Sequence, residues 1–258
     1  MKGTLIGTRY LVLEPLGSGG EARVFRARDT VTQTEVALRI PHRLTTSPLS
    51  AVPPLSHPGW TPLLDSGVDS SCGPYHVFEL LEGTTLARII QDRPLKRQDW
   101  FSFVNQSLDA VEALHIANWI HGDLNAENFF HAQGTHARWK LLELPFLRLE
   151  SPTGRSALFG NIHTLAPEQI DGTPANVRSD LYALGCLYYY AASGHYPHEG
   201  ATSQEVAIHC LRFPADDLEK KARQLPASWC AWVMNLLARE PEKRFPTITA
   251  AHHLLTVA

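Results

Sequence analysis

The chain is poor in the features that mark several large functional classes. Its four cysteines, Cys72, Cys186, Cys210 and Cys230, form no C-x-x-C pair and lie far apart, so they indicate neither a zinc site nor a disulfide framework, and a reduced, cytoplasmic setting is expected. No apolar run approaches the roughly 18 residues of a membrane span. The opening MKGTLIGTRYLVLEPLG has too short an apolar run for a signal peptide. The 23 lysines and arginines are scattered among 26 acids, leaving a net charge of −3, so no basic face points to nucleic acid or to an anionic membrane. Protein partners or a small ligand are expected instead. Internal repeats and low-complexity tracts are absent as well.

What is present is enough apolar sequence for a sizeable core. With 44% hydrophobic and 19% charged residues over 258 positions, one globular unit of one or two lobes is expected. YLVLEPL, ARVFRARD and TEVALRI read as strands of an antiparallel meander, separated by the turn clusters GSGG and DTVTQ. TPLLDSGV and YHVFELL read as two more. Residues 41–62 hold six prolines and little periodicity, which opposes a long helix there. GTTLARIIQD begins the helical part, with Thr84 or Thr85 as N-cap. A longer helix follows, with Phe101, Val104, Leu108, Val111 and Leu114 on one face, and SDLYALGCLYYYAASG is apolar nearly all round, as a buried helix would be. Strands first and helices later give an α+β pattern that breaks near Glu82.

The order of short motifs carries more than any one of them. GSGGEARVF follows a strand, VALRI is a strand with a central cation, and HGDLNAEN, APE and SDLYALG come in turn. Together, over essentially the whole chain, they resemble the eukaryotic-like (Hanks-type) Ser/Thr protein kinases of bacteria. The resemblance implies a single two-lobed kinase-like domain over residues 1–258, with a small antiparallel-sheet N-lobe over about 1–82, a helical C-lobe over about 83–258, and a nucleotide cleft between them.

Several positions depart from the family pattern. Gly17, Gly19 and Ala22 stand where the family has three loop glycines, whose missing side chains let backbone N–H groups approach phosphates. Arg39 replaces the strand lysine. Its helix C partner is missing too, because no acid lies between Pro41 and Ser56, so helix C is expected to be reduced or absent. Arg39 is left three roles: binding a phosphate, pairing with Glu143, or pointing to solvent. Asp123 and Asn128 occupy the general-base and metal-ligating positions, though both residue types also cap tight loops. Gly122 replaces the arginine that reads a phosphorylated activation segment, so Ser151, Thr153 and Ser156 are not expected to act as a switch. Asn125 replaces the lysine that steadies the γ-phosphate. In KLLELPF, Glu143, Leu144 and Pro145 replace the metal-binding triplet, and Glu143 is one methylene longer than the aspartate that Mg²⁺ geometry favours.

The adenine region implied by the resemblance has Val24 and Ala37 as roof, Glu79 and Leu81 in the hinge, and Phe130 where a smaller floor residue is usual. Phe78, just before the hinge, is also large. Phe130 and Phe78 either narrow the purine slot or fill core. The architectural positions are kept: His121 packs on the core, Glu168 should pair with Arg244, and Asp180 should accept hydrogen bonds from the catalytic-loop backbone. The chain is therefore expected to be a pseudokinase, a scaffold or regulatory module with no cofactor. Its partners would be proteins, such as an active kinase or a kinase substrate. A divergent enzyme using ATP and Mg²⁺, and a non-catalytic nucleotide sensor, are the alternatives.

Overall fold

Alternation of apolar residues builds the first part of the chain. The structure is a computed structural model that describes residues 1–18, 22–42, 56–134, 138–142, 147–148 and 160–257. It divides into two units, Met1–Glu82 and Gly83–Ala258. In the first, β1 (Leu5–Ile6), β2 (Tyr10–Ser18), β3 (Ala22–Asp29), β4 (Glu35–Pro41), β5 (Leu63–Asp69) and β6 (Gly73–Glu79) form one antiparallel sheet in the order β1-β2-β3-β4-β6-β5. Val36, Leu38 and Ile40 share one face of β4 by the two-residue period, and they pack with Phe25, Ala27, Tyr75 and Val77. The β3–β4 turn is organised by Asp29, which accepts from the N–H of Val31, the hydroxyl of Thr32 and the Arg9 guanidinium. The Arg9 guanidinium holds the Asp29 carboxyl well below the usual carboxylate range.

The expected loss of helix C falls mainly on residues 43–55, outside the described residues, as does Gly19. The described flank, residues 56–62, contains no helix.

The second unit runs β7 (Gly83–Thr85), α1 (Leu86–Asp92), α2 (Arg97–Ile116), β8 (Trp119–Ile120), β9 (Phe129–Ala132), β10 (Arg138–Leu141), β11 (Leu147–Arg148), α3 (Pro167–Ile170), α4 (Val177–Ser193), α5 (Ser203–Arg212), α6 (Leu218–Lys221), α7 (Ala227–Leu236), a 3₁₀ turn at Pro241–Lys243 and α8 (Ile248–Val257). Capping follows the sequence locally. The Thr85 hydroxyl accepts from Arg88 N–H, and Asn176 with Ser179 forms a reciprocal capping box for α4. Four of the short strands, β8 to β11, have no counterpart in the sequence reading. At two to four residues each they are too short to show a period, and they form where tertiary pairing brings β9 beside β10 and β7, and β11 beside β8.

The buried stripe of α2 differs from the expected one in its first turn, where Trp100 and Phe103 take the place of Phe101. It begins at Trp100 and continues through Phe103, Val104, Leu108, Val111 and Leu114. Phe101 is instead half-buried and stacks on Trp229 at 4.8 Å. Trp100 can be fully buried because its indole N–H donates to the Tyr188 carbonyl at 2.9 Å. α4 is buried nearly all round. At Gly185 an added Cβ would lie 2.8 Å from the Leu236 side chain, so glycine permits the close approach of α4 and α7. Among the described residues no helix is long and apolar enough to cross a membrane.

Candidate functional site

A buried carboxylate holds the HGDLNAEN loop from behind. Asp180, in the first turn of α4, is 1% exposed. Its Oδ2 accepts from the backbone N–H of His121 and its Oδ1 from that of Gly122, both at 2.9 Å, and His115 Nε2–H donates to Oδ2 at 2.9 Å. Burial alone would push this carboxyl up; the His115 hydrogen bond and the neighbouring donors outweigh it and hold it below the usual range. His121 is buried, and its Nδ1 accepts from Asp123 N–H at 3.3 Å.

The loop closes on itself around Asp123. Asn128 Nδ2 donates to the Asp123 carbonyl at 3.0 Å, which leaves Asn128 Oδ1 as the side-chain oxygen able to ligate a cation. Asn125 Oδ1 accepts from Glu127 N–H at 3.0 Å, and its Nδ2 lies 3.3 Å from Asp123 Oδ1. The same Oδ1 accepts from Asn161 N–H at 3.2 Å. Asn161, in the segment just before APE, was not singled out from the sequence. Its position seven residues before Glu168 was the available signal.

APE is anchored by a second buried charge. Arg244 donates to both oxygens of Glu168, at 2.7 and 2.8 Å, and to the carbonyls of Ala238, Arg178 and Arg239. Its guanidinium lies over the Tyr182 ring at 4.8 Å. All five donors of the fork are used, as a buried guanidinium requires.

The remaining candidates are spread over both units. Phe130, on β9, is half-buried, and its ring would lie 2.8 Å from a Cβ added to Gly83. In the first unit Val24 pairs with Arg39 in the β3–β4 register, and Ala37 pairs with Phe78, which is 7% exposed. Glu79 is exposed and Leu81 half-buried, while a side chain added at Gly17 would meet nothing. Arg39 is buried, which corrects the expectation that it could point to solvent. Its partner in the β4–β6 register is His76. Burial, then the Arg39 charge, pushes the His76 imidazole down to about 4. Glu143, Leu144 and Pro145, and Ser151, Thr153 and Ser156, lie outside the described residues.

The family model described as the protein kinase domain matches residues 10–255. The chain belongs to the protein kinase family. It is similar to the DNA damage-responsive serine/threonine-protein kinase RqkA of Deinococcus radiodurans, with 30% identity over 99% of this chain and 40% of that protein. It is also similar to the serine/threonine-protein kinases PrkC of Bacillus subtilis, at 26% over 95% of the chain, and PknB of Mycobacterium tuberculosis, at 29% over 94%. The chain spans about two fifths of the length of these relatives. The strand-built first unit and mainly helical second unit are the α+β architecture of this kinase family.

Proposed function

We propose that this kinase-family chain is a pseudokinase, a protein-interaction or regulatory module with little or no Mg²⁺-ATP binding. The observation that carries the reading is the contact of Asn125 with Asp123. Where kinases of this type place a lysine toward the γ-phosphate, this loop has a neutral amide already committed to its own base and turn. Phosphoryl transfer depends on positioning and on charge stabilisation, and each lost donor costs on the order of 10²–10³ in rate. Arg39 for lysine and Glu143 for aspartate weaken the same two functions, and Phe130 enlarges the floor position. A bound Mg²⁺ would neutralise phosphate charge, with Asn128 Oδ1 and Glu143 as the oxygens to hold it. What this chain's own residues do is narrower: Asp180 fixes the loop, and Asn161 and Asn125 orient Asp123.

One observation favours a second reading, a slow divergent kinase. Asp123 and Asn128 are both present and tied in one loop. Titration with ATP, with and without Mg²⁺ or Mn²⁺, followed by thermal unfolding and a phosphoryl-transfer assay, separates the two. The pseudokinase gains less than about one degree and transfers no phosphate above an Asp123→Asn control. A gain of several degrees with Mg²⁺-ATP, with transfer lost in Asp123→Asn, establishes the slow kinase. In the pseudokinase, Phe130→Leu should restore nucleotide binding, and adding Arg39→Lys, Asn125→Lys and Glu143→Asp should make it metal-dependent.

A further inference from the structure

Away from that loop, three ligating side chains from two helices converge on one point. Asp109 and Glu112 lie three residues apart on α2, hence on one face. His252 reaches them from α8, and one ligand atom from each of the three lies within 4.8 Å of the others. Glu112 and His252 are half-buried and Asp109 is exposed, so an ion can enter from solvent.

The imidazole is oriented by a neighbour that is not one of the three. Asn105, one turn before Asp109, donates its Nδ2–H to the Phe101 carbonyl at 2.8 Å, which turns its Oδ1 toward His252 Nε2, also at 2.8 Å. An amide oxygen only accepts, so Nε2 carries the proton. In the neutral ring, Nδ1 is then the lone-pair nitrogen, and it faces Asp109 Oδ1 at 3.6 Å. That distance is too long for a direct hydrogen bond. Two carboxylates and an imidazole nitrogen gathered at one point attract a cation, either a proton on Nδ1 or a metal ion. The Thr249 hydroxyl donates to Glu112 Oε1, so α8 orients this carboxylate too and leaves its other oxygen available. A histidine whose second nitrogen is tied to an oxygen acceptor has the orientation that metal-bound imidazoles use.

We propose that Asp109, Glu112 and His252 bind a zinc ion that ties α8 to α2. One imidazole nitrogen with two carboxylates suits a borderline ion such as Zn²⁺, whereas Mg²⁺ and Ca²⁺ take oxygen ligands. Three protein ligands leave a fourth position to water. Reaching zinc–ligand distances of about 2.0–2.2 Å requires the exposed Asp109 and the half-buried Glu112 and His252 side chains to close on the ion. The ion's role is structural, and it is independent of whether the chain binds nucleotide.

The test is a titration of the chelator-stripped chain with ZnCl₂, read by calorimetry and thermal unfolding, with Co²⁺ as a spectroscopic probe. One equivalent should bind in the micromolar range or tighter and raise Tm by several degrees. Asp109→Asn and His252→Gln should each weaken binding by at least about tenfold and remove the Tm gain, whereas Cys72→Ser should leave both unchanged. Co²⁺ should give d–d bands without a thiolate charge-transfer band, lost in Asp109→Asn. Should His252→Gln fail to fold, Asp109→Asn alone decides, because that side chain is half exposed. Absence of binding below millimolar zinc, or binding undiminished in Asp109→Asn, overturns the proposal.

Discussion

The anchors behind the HGDLNAEN loop and the loop itself use charge in opposite ways. Behind it, Asp180 takes three N–H donors, and Arg244 gives two donors to Glu168 and three to backbone carbonyls. In the loop, the donors to the Asp123 carboxylate include a backbone N–H and a neutral amide. The difference follows from burial. An uncompensated buried charge costs several kcal/mol in folding, so an anchor that loses one partner loses much of the stability it supports. A lysine in a solvent-facing loop adds almost nothing to stability, so it can be replaced without any folding penalty. Loop side chains can therefore change in this region while the buried anchors stay complete.

The sharpest way to break that comparison is Arg244→Ala. It leaves Glu168 and three carbonyls without their donor, and should cost about 3–5 kcal/mol in urea unfolding. A cost under about 1 kcal/mol would mean that the anchor is no more essential than the loop.

Next in size is Asp180→Asn, which strips the charge from three hydrogen bonds and should cost about 3 kcal/mol. The same group gives a pH signature. Its folded pKa is depressed, so its contribution is fully present above the unfolded value of about 4 and lost as pH falls below it. Wild type should lose stability over that range, and Asp180→Asn should lose less.

His76 carries the comparison to the neighbourhood of Arg39. An imidazole pushed down to about 4 binds its proton more readily in the unfolded chain. Its contribution is present above the ordinary value of about 6.5 and lost as pH falls toward 4. Unfolding of the wild type between those limits should show a loss of about 2 kcal/mol that His76→Leu removes. Equal slopes in the two proteins would show that the buried site does not hold the His76 imidazole down.

The smallest expected effect is the most informative about the loop. Asp123→Asn keeps shape and hydrogen-bonding capacity, and should change stability by less than about 0.5 kcal/mol. A destabilisation above about 2 kcal/mol would place Asp123 among the anchors.

Much of this was legible in the chain because the signals were local or ordered. Apolar runs between turn clusters marked β2 to β6, Thr84 or Thr85 marked the start of α1, of which Thr85 is the cap, and Glu168 with Arg244 could be paired from two motifs 76 residues apart. The α2 stripe was displaced at its first turn because Trp100 and Phe101 are both large and apolar. Only the Tyr188 carbonyl, which receives the indole N–H, decides between them. Asn161 escaped notice because it acts through its backbone N–H, which every residue but proline possesses.

The sequence by itself determined the family, the order of strands and helices, and which loop positions carry altered side chains. These depend on residue type, period and spacing along the chain. Only the tertiary structure decided that Arg39 is buried opposite His76, that Asn125 turns its amide onto Asp123, and that His252 meets Asp109 and Glu112 across more than a hundred residues. Those arrangements are set by packing between distant segments. No local pattern encodes which nitrogen of a histidine or which end of an amide will face a neighbour until the surrounding hydrogen bonds are in place.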